Sequence, residues 1–325
     1  MKSNEELISI LKESIFKEEN VKELHPLIEI QDSVIASEGA IITIGGLPKA
    51  RKSTFMIGLL SAIFSGNEVF GFKAEKGKVI ICDTEQTPYD FNRQMTLLKS
   101  LSAKKNIPKD LNSFLFRQQS IETIKEALEL AIEKIKPLYV VIDSITDLVY
   151  NVNDFEESKK IVQYLKYLSA KYNVLVISIV HLSKTNNFTL GALGSALDRV
   201  SQSTLLVKKD KDTGSSFLEP LYLRSADNFA PVYISYDKEK GEYITSEGEF
   251  QTVKNKRFSM DIWDKAQLSN LTEIVFTDEK EFTYKALVER CRAVFGVGDT
   301  QVRRVVIPYM ISKKYFKNKN GNYVQ

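Results

Sequence analysis

The sequence holds only two cysteines, Cys82 and Cys291, far apart and without metal-ligand spacing, and only two histidines, His25 and His181. That scarcity excludes a disulfide framework and leaves too few thiol and imidazole ligands for a structural zinc site. Long apolar runs are missing as well, the longest falling well short of the about 20 residues that span a bilayer. The opening Met1-Lys2-Ser3-Asn4-Glu5-Glu6 lacks the basic-then-apolar order of a secretory signal, so a cytoplasmic location without a membrane partner is expected. Net charge is low, +3 over 325 residues, yet unevenly placed. From Arg303 onward Arg303, Arg304, Lys313, Lys314, Lys317 and Lys319 meet no acidic side chain. Such a tail favours phosphate backbones, although solvated charge runs also occur on surfaces that bind nothing.

What is present begins with Ile41-Ile42-Thr43-Ile44-Gly45-Gly46, an apolar run that breaks into Leu47-Pro48-Lys49-Ala50-Arg51-Lys52-Ser53-Thr54. From Gly46 to Ser53 the spacing is that of G-x-x-x-x-G-K-[ST]. In that loop backbone N–H groups wrap phosphates, the lysine meets the β and γ oxygens, and the hydroxyl binds Mg²⁺. Residues 46–54 are therefore the candidate ATP cradle, with Ser53 toward the metal. Arg51 stands where the second glycine is expected, in a position that often takes a left-handed backbone costing a side-chain-bearing residue roughly 1–2 kcal/mol. A phosphate contact by its guanidinium would offset that cost.

The chain alternates strand and helix patterns: 40–44, 53–65, 78–82, 88–101, 113–117, 121–135, 138–142, 155–171 and 174–180. Alternation of this kind predicts a mainly parallel sheet covered by helices on both faces. Ile121, Ile124, Leu128, Ile132 and Ile135 carry the helical stripe, and Asp154 with Glu157 is placed to cap the next helix. After Ser203 the pattern turns to strands joined by turn-rich segments at 210–215 and 237–241, an antiparallel extension of the sheet. Residues 1–25 read as a helical lead-in whose Leu7, Ile10, Leu11 and Ile15 pack on the main domain or on a neighbouring subunit. The large domain covers 26–245, a polar linker 246–262, and a small domain 263–325.

Three strand tips bring chemistry to one edge of such a sheet. Val79-Ile80-Ile81-Cys82 leads into Asp83-Thr84-Glu85-Gln86, and Glu85 is the candidate for orienting and deprotonating an attacking water. Acidic residues at strand ends also serve simply as helix caps. Tyr139-Val140-Val141-Ile142 leads into Asp143-Ser144, where a carboxylate holds the hydration shell of Mg²⁺ or merely starts a turn. The run 174–180 delivers His181-Leu182-Ser183-Lys184; His181 is either a structural imidazole or a sensor of the γ-phosphate.

Taken jointly, Gly-Leu-Pro-Lys-Ala-Arg-Lys-Ser at 46–53, Asp-Thr-Glu-Gln at 83–86 with Asp90 and Arg93, Val-Val-Ile-Asp-Ser at 140–144, His-Leu-Ser-Lys at 181–184 and Gly-Ser-Ala-Leu at 194–197 resemble RecA-fold ATPases of the RepA-like hexameric helicase group, the AAA_25 type. The resemblance spans residues 26–240. It implies an α/β RecA-like P-loop core and ATP hydrolysis with Mg²⁺ in a homo-oligomeric ring. Lys52 and Ser53 would be the cradle pair, Glu85 the catalytic glutamate, Asp143 the Walker B carboxylate and His181 the sensor. It also implies a basic residue donated by a neighbouring subunit, matched by Arg224. Ser225, Ala226 and Asp227 follow Arg224 without the second cation that related rings carry, so a surface strand residue is an equal reading. Two segments, 150–155 and 185–196, would face the ring centre, where equivalent loops track single-stranded DNA. The second holds Asn186, Asn187, Gly191 and Gly194 and reads as a mobile loop, and neither segment is rich in Lys or Arg.

Residues 281–325 read as helix, turn, helix and hairpin, resembling a winged helix. Asp299 would cap the second helix, which Pro308 kinks or confines to the residues before it. Gln301, Arg303 and Arg304 would face a DNA groove, with Lys317 and Lys319 on the wing; such domains also dock proteins. The resulting expectation is an ATP-driven motor of DNA metabolism, a helicase or translocase on single-stranded DNA that serves replication or mobilisation of a mobile element. The competing expectation is a DNA-binding regulator or loader whose nucleotide state switches assembly without translocation.

Overall fold

The computed structural model describes residues 3–15, 17, 23, 25–182, 191–210, 213–246, 265–277, 281–295, 299, 302–319 and 322–324. The chain divides into two compact units, Met1–Glu247 and Gly248–Gln325.

In the first unit, α1 (Asn4–Ser14) opens on a capping box, Ser3 Oγ accepting the Glu6 N–H while Glu6 Oε2 accepts the Ser3 N–H. Its Leu7, Ile10 and Leu11, with Ile15 just beyond, are exposed, so the stripe does not pack on the main domain of its own chain. Strands β1 (Pro26–Ile30) and β2 (Ser33–Ser37) pair antiparallel, and with β4 (Phe72–Ala74) form a three-stranded sheet that the strand–helix alternation did not announce.

The main sheet is built from β3 (Ile41–Gly46), β5 (Val79–Asp83), β6 (Leu111–Leu115), β7 (Tyr139–Asp143), β8 (Leu175–His181), β9 (Ser203–Lys209), β10 (Ser216–Leu223), β11 (Val232–Asp237) and β12 (Glu242–Ser246). Its order is β12-β11-β10-β9-β3-β8-β7-β5-β6. Strands β9, β3, β8, β7, β5 and β6 run parallel, while β10, β11 and β12 extend the sheet antiparallel. Strands β3, β5 and β7 are buried along their whole length, because helices cover both faces and leave no side for polar alternation. On one face lie α2 (Lys52–Ser65) and α3 (Pro88–Leu101); on the other lie α4 (Ile121–Ile135), α5 (Phe155–Tyr172) and α6 (Gly191–Val200). Ile124, Leu128 and Ile132 bury the expected stripe of α4, and Asp154 Oδ1 accepts the Glu157 N–H at the start of α5, 2.8 Å.

The mobile loop expected over 185–196 is only partly testable, since residues 183–190 lie outside the described part. From Gly191 onward it is corrected: 191–196 forms the first turns of α6, fixed by the Leu193 N–H on the Val152 carbonyl, 3.0 Å. The proposed linker after Ser246 also lies outside the described residues.

The second unit contains α7 (Lys265–Val275), β13 (Glu281–Thr283), α8 (Tyr284–Phe295), a π-helical turn Val302–Val306, α9 (Ile307–Ser312), β14 (Lys317–Lys319) and β15 (Asn322–Val324). Its strands pair in the order β13-β15-β14 around Phe276, which meets Phe282 and Phe316 edge-on at 5.3 and 5.4 Å. Pro308 occupies the first turn of α9, where its missing N–H leaves no bond unmade. The regular α-helical turns therefore follow Pro308, and the residues before it take up the wider π geometry. Of the two outcomes expected at Pro308, a kink or a regular helix confined to the residues before it, the second is corrected.

Candidate active site at the carboxyl edge of the sheet

Parallel register carries β3, β5, β7 and β8 to one edge, where Gly46 lies opposite His181 and Asp83 opposite Asp143. Gly46 leaves no room for a side chain: a Cβ there would sit 2.7 Å from the Val207 carbonyl oxygen and 2.9 Å from Lys52 Cγ. The chain turns at Leu47, whose carbonyl accepts the Ala50 N–H, 3.1 Å, and enters α2 through Arg51. Arg51 is left-handed, φ 74° and ψ 32°, the conformation anticipated for a glycine at this place. Its guanidinium does not fill the cradle: Nη1 donates to the Gly214 carbonyl, 3.2 Å, and the group lies 5.5 Å from the centre of the Tyr243 ring. Those two contacts oppose the backbone cost.

Lys52, Ser53, Glu85, Asp143 and His181 line one cavity of about 470 Å³, together with Lys49 and Arg51 of the loop. The Lys52 ammonium is held by the carbonyls of Gly46 and Leu47, at 3.0 and 3.3 Å, and by His181 Nδ1, 3.1 Å. His181 Nε2 lies 3.3 Å from Glu85 Oε2. One tautomer satisfies both contacts, Nδ1 accepting from the lysine and Nε2–H donating to the carboxylate. Lys52 is buried, and that burial lowers its pKa while Asp143 and Glu85 act in the opposite direction.

The carboxylates differ in setting. Glu85 is half exposed, its side chain 56 % accessible. Asp143 is 4 % accessible, and burial, reinforced by Asp83 and Glu85, pushes its pKa up to about 7. Asp83 is buried too, raised chiefly by that burial. Its Oδ1 accepts the N–H groups of Glu85 and Gln86 at 3.1 and 2.8 Å, which fixes the turn presenting Glu85. Its Oδ2 is buried with no hydrogen-bond partner among the described residues. Thr84 links the two strand tips, donating to Asp147 at 2.7 Å and accepting the Ser144 N–H at 3.0 Å.

Asp143, which lines the same cavity as Ser53 and pairs in register with Asp83 and its orphan oxygen, suits a divalent cation. Among the described residues no group of three or more His, Cys, Asp or Glu side chains could hold a metal ion by itself. Mg²⁺ fits these constraints, since it takes one or two protein carboxylates and completes its shell with phosphate oxygens and water.

Reading the sequence missed three contributors. Asp83 was passed over because its role is to hold a turn, which the Asp-x-Glu order signals only in retrospect. Arg117, beyond the end of β6, lines the same cavity; as a cation at a strand tip it had the signal that drew attention to Glu85 and Asp143. Gln94 on α3 also lines it, and nothing in the sequence marks it. Arg93 does not line it, whereas Asp90 does, its carboxylate also accepting the Thr87 hydroxyl at 2.7 Å.

Arg224 lies elsewhere. It follows β10, whose Leu223 pairs with Ser203 at the start of β9, so it sits at the sheet edge opposite the cradle of its own chain. In the second unit, Arg304 and the β14 residues Lys317 and Lys319 are exposed. Arg303 is engaged by Asp299, 2.8 Å, and lies 5.4 Å from the centre of the Tyr284 ring. Gln301 lies outside the described residues. Among the described residues no helix is long and apolar enough to cross a membrane.

The family model AAA_25, described as an AAA domain, matches residues 20–187, just over half of the chain and inclusive of every cavity residue named above. No curated protein matches the chain.

Proposed function

The chain belongs to the AAA domain family and is a P-loop ATPase, and from that premise we propose an oligomeric, ATP-driven motor of DNA metabolism that acts on single-stranded DNA. The observation that carries the enzymatic half is the contact series Lys52–His181–Glu85 inside the cavity that Ser53 and Asp143 also line. In this reading the Lys52 ammonium and the backbone N–H groups of residues 46–54, all but Pro48, receive the β- and γ-phosphates. Ser53 and Asp143 would hold Mg²⁺, which when bound offsets phosphate charge. Glu85 accepts the proton of the attacking water as its oxygen bonds to the γ-phosphorus. The bond from that phosphorus to the bridging oxygen breaks, and its electron pair leaves with ADP. His181, in contact with both Lys52 and Glu85, senses whether the γ-phosphate is in place. The strand tip then passes that state on toward α6.

The oligomer is supported by Arg224, which faces away from the cradle of its own chain and so serves, if it serves hydrolysis, the cradle of another. In the second unit the order helix, strand, helix, helix and hairpin, with Arg304, Lys317 and Lys319 exposed, supports a winged-helix-like DNA module. Arg303, already paired and stacked, contributes less to groove contact than its sequence position suggests. Phosphate release measured with and without single-stranded DNA, beside displacement of a labelled strand, tests the proposal. DNA-stimulated turnover with displacement is expected. Tight ATP binding with negligible turnover, alongside intact duplex binding, would instead assign the chain to nucleotide-switched regulators.

A further inference from the structure

Arginine stands at residue 51, where a glycine would serve the cradle without conformational cost. Its backbone is left-handed, φ 74°, as is that of Lys49 two residues before, φ 65°. A side chain kept at such a position has a task that the shape of the loop does not require. The Arg51 guanidinium reaches out of the loop to two places distant in sequence. Nη1 donates to the carbonyl of Gly214, 3.2 Å, in the turn between β9 and β10, and the group lies 5.5 Å from the centre of the Tyr243 ring on β12. The turn is tightly closed. The Gly214 N–H bonds to the Asp210 carbonyl at 3.0 Å, the Asp210 N–H to the Ser215 carbonyl at 2.9 Å, and the Thr213 hydroxyl to Asp210 Oδ2 at 2.9 Å. Tyr243 meets Tyr236 of β11 edge-on at 5.2 Å, and β12 is the last strand of the first unit, which ends at Glu247.

Gly214 and Tyr243 offer the guanidinium no charge, yet Arg51 also lines the cavity beside Lys49 and Lys52. A contact between guanidinium and phosphate is charge-assisted and two-pronged, roughly twice as strong as a bond to a neutral carbonyl. Phosphates entering the cradle therefore outcompete the carbonyl and the ring for the same group. We infer that Arg51 is a phosphate-operated tether. With the cradle empty it holds the β9–β10 turn and β12 to the loop. With a triphosphate in place its guanidinium passes to the phosphate oxygens, and turn and strand are released. No covalent bond forms or breaks, and no proton moves. The inference rests on the ATPase reading above and adds to it a route by which occupancy of the cradle reaches the antiparallel end of the sheet. The coupling is reciprocal: a change that weakens the tether favours phosphate binding.

Amide hydrogen exchange of the full chain, read over residues 213–217 and 242–246, tests the tether. It is measured without ligand, with a non-hydrolysable ATP analogue, and with inorganic triphosphate, a probe that has no nucleoside. Protection of both segments is expected to fall about tenfold on binding of either, the reverse of the tightening that a ligand ordinarily produces. Arg51→Gly keeps the left-handed backbone without the guanidinium. It should exchange at the faster rate from the start and show no further change. Tyr243→Leu removes one competitor and leaves the loop as it is, so isothermal titration should show the analogue bound about 2- to 5-fold more tightly. Unchanged or increased protection of the two segments in a wild type that binds the analogue overturns the inference and leaves the ATPase reading standing. Equal or weaker binding by Tyr243→Leu also overturns it, the weaker result making the ring a contact of the nucleotide. Binding of inorganic triphosphate with the fall in protection, but no binding of the analogue, sinks the ATPase reading and keeps the tether. A wild type that binds neither removes both.

Discussion

Glu85→Gln is expected to reduce ATP turnover by about 10³-fold while leaving nucleotide binding intact or tighter. Glutamine preserves the volume at the mouth of the cavity and still offers His181 Nε2 an acceptor. It removes the only half-exposed carboxylate of the Asp83, Glu85 and Asp143 group, and with it the proton acceptor for water. It also removes a negative charge that raises Asp143, so the phosphates enter a less repulsive site. Equilibrium binding of a fluorescent ATP analogue beside steady-state phosphate release separates the two effects. Turnover within a few-fold of wild type would remove Glu85 from the chemistry and leave its contact with His181 as a structural one.

Asp143→Asn should act in opposite directions on stability and on activity. The Asp143 pKa is raised in the folded protein to about 7, against about 3.9 for an aspartate in an unfolded chain. The folded state therefore binds the proton more tightly than the unfolded state does. Its stabilising contribution is present below pH 4 and is lost as pH climbs through 7. A gap of that width corresponds to roughly 4 kcal/mol, at about 1.4 kcal/mol per pKa unit. Urea unfolding of the nucleotide-free protein between pH 4 and 8 should show wild-type stability declining across this window. Asp143→Asn should decline less, the remaining slope coming from Asp83, and should be the more stable of the two at pH 8. Its Mg²⁺-dependent turnover should nevertheless fall by about 10² or more, since an amide is a poor ligand for a hard cation. Parallel pH profiles for the two proteins would mean that Asp143 is not a destabilising charge in the folded state.

Much of this fold was legible because its strands are buried on both faces and its helices carry stripes. Pro88–Leu101 and Ile121–Ile135 match the sequence reading to the residue, and β3, β5, β7 and β8 lie within two residues of it. Lys52, Ser53, Glu85, Asp143 and His181 could be brought together on paper because parallel strands all deliver their carboxyl ends to one edge. The strain expected at residue 51 was likewise readable from a missing glycine, but its compensation was not. Gly214 and Tyr243 approach Arg51 only through the antiparallel extension of the sheet, over separations that local pattern cannot see. The same holds for Arg117 and Asp83, whose roles depend on what lies across the cavity or the turn. The Gly- and Asn-rich composition of 185–196 suggested a loop, and over 191–196 tertiary packing on Val152 overrode that propensity.

In the proposed site Lys52, Ser53, Glu85 and Asp143 surround one magnesium-bound triphosphate at the rim of the sheet. Isothermal titration of the wild type and Lys52→Ala with a non-hydrolysable ATP analogue and Mg²⁺ tests it most directly. One bound analogue per chain, with affinity lowered about 10²-fold or more in Lys52→Ala, is the predicted result, because the ammonium is the buried charge the phosphates must meet. Equal affinity in the two proteins, or no binding by the wild type, would contradict it.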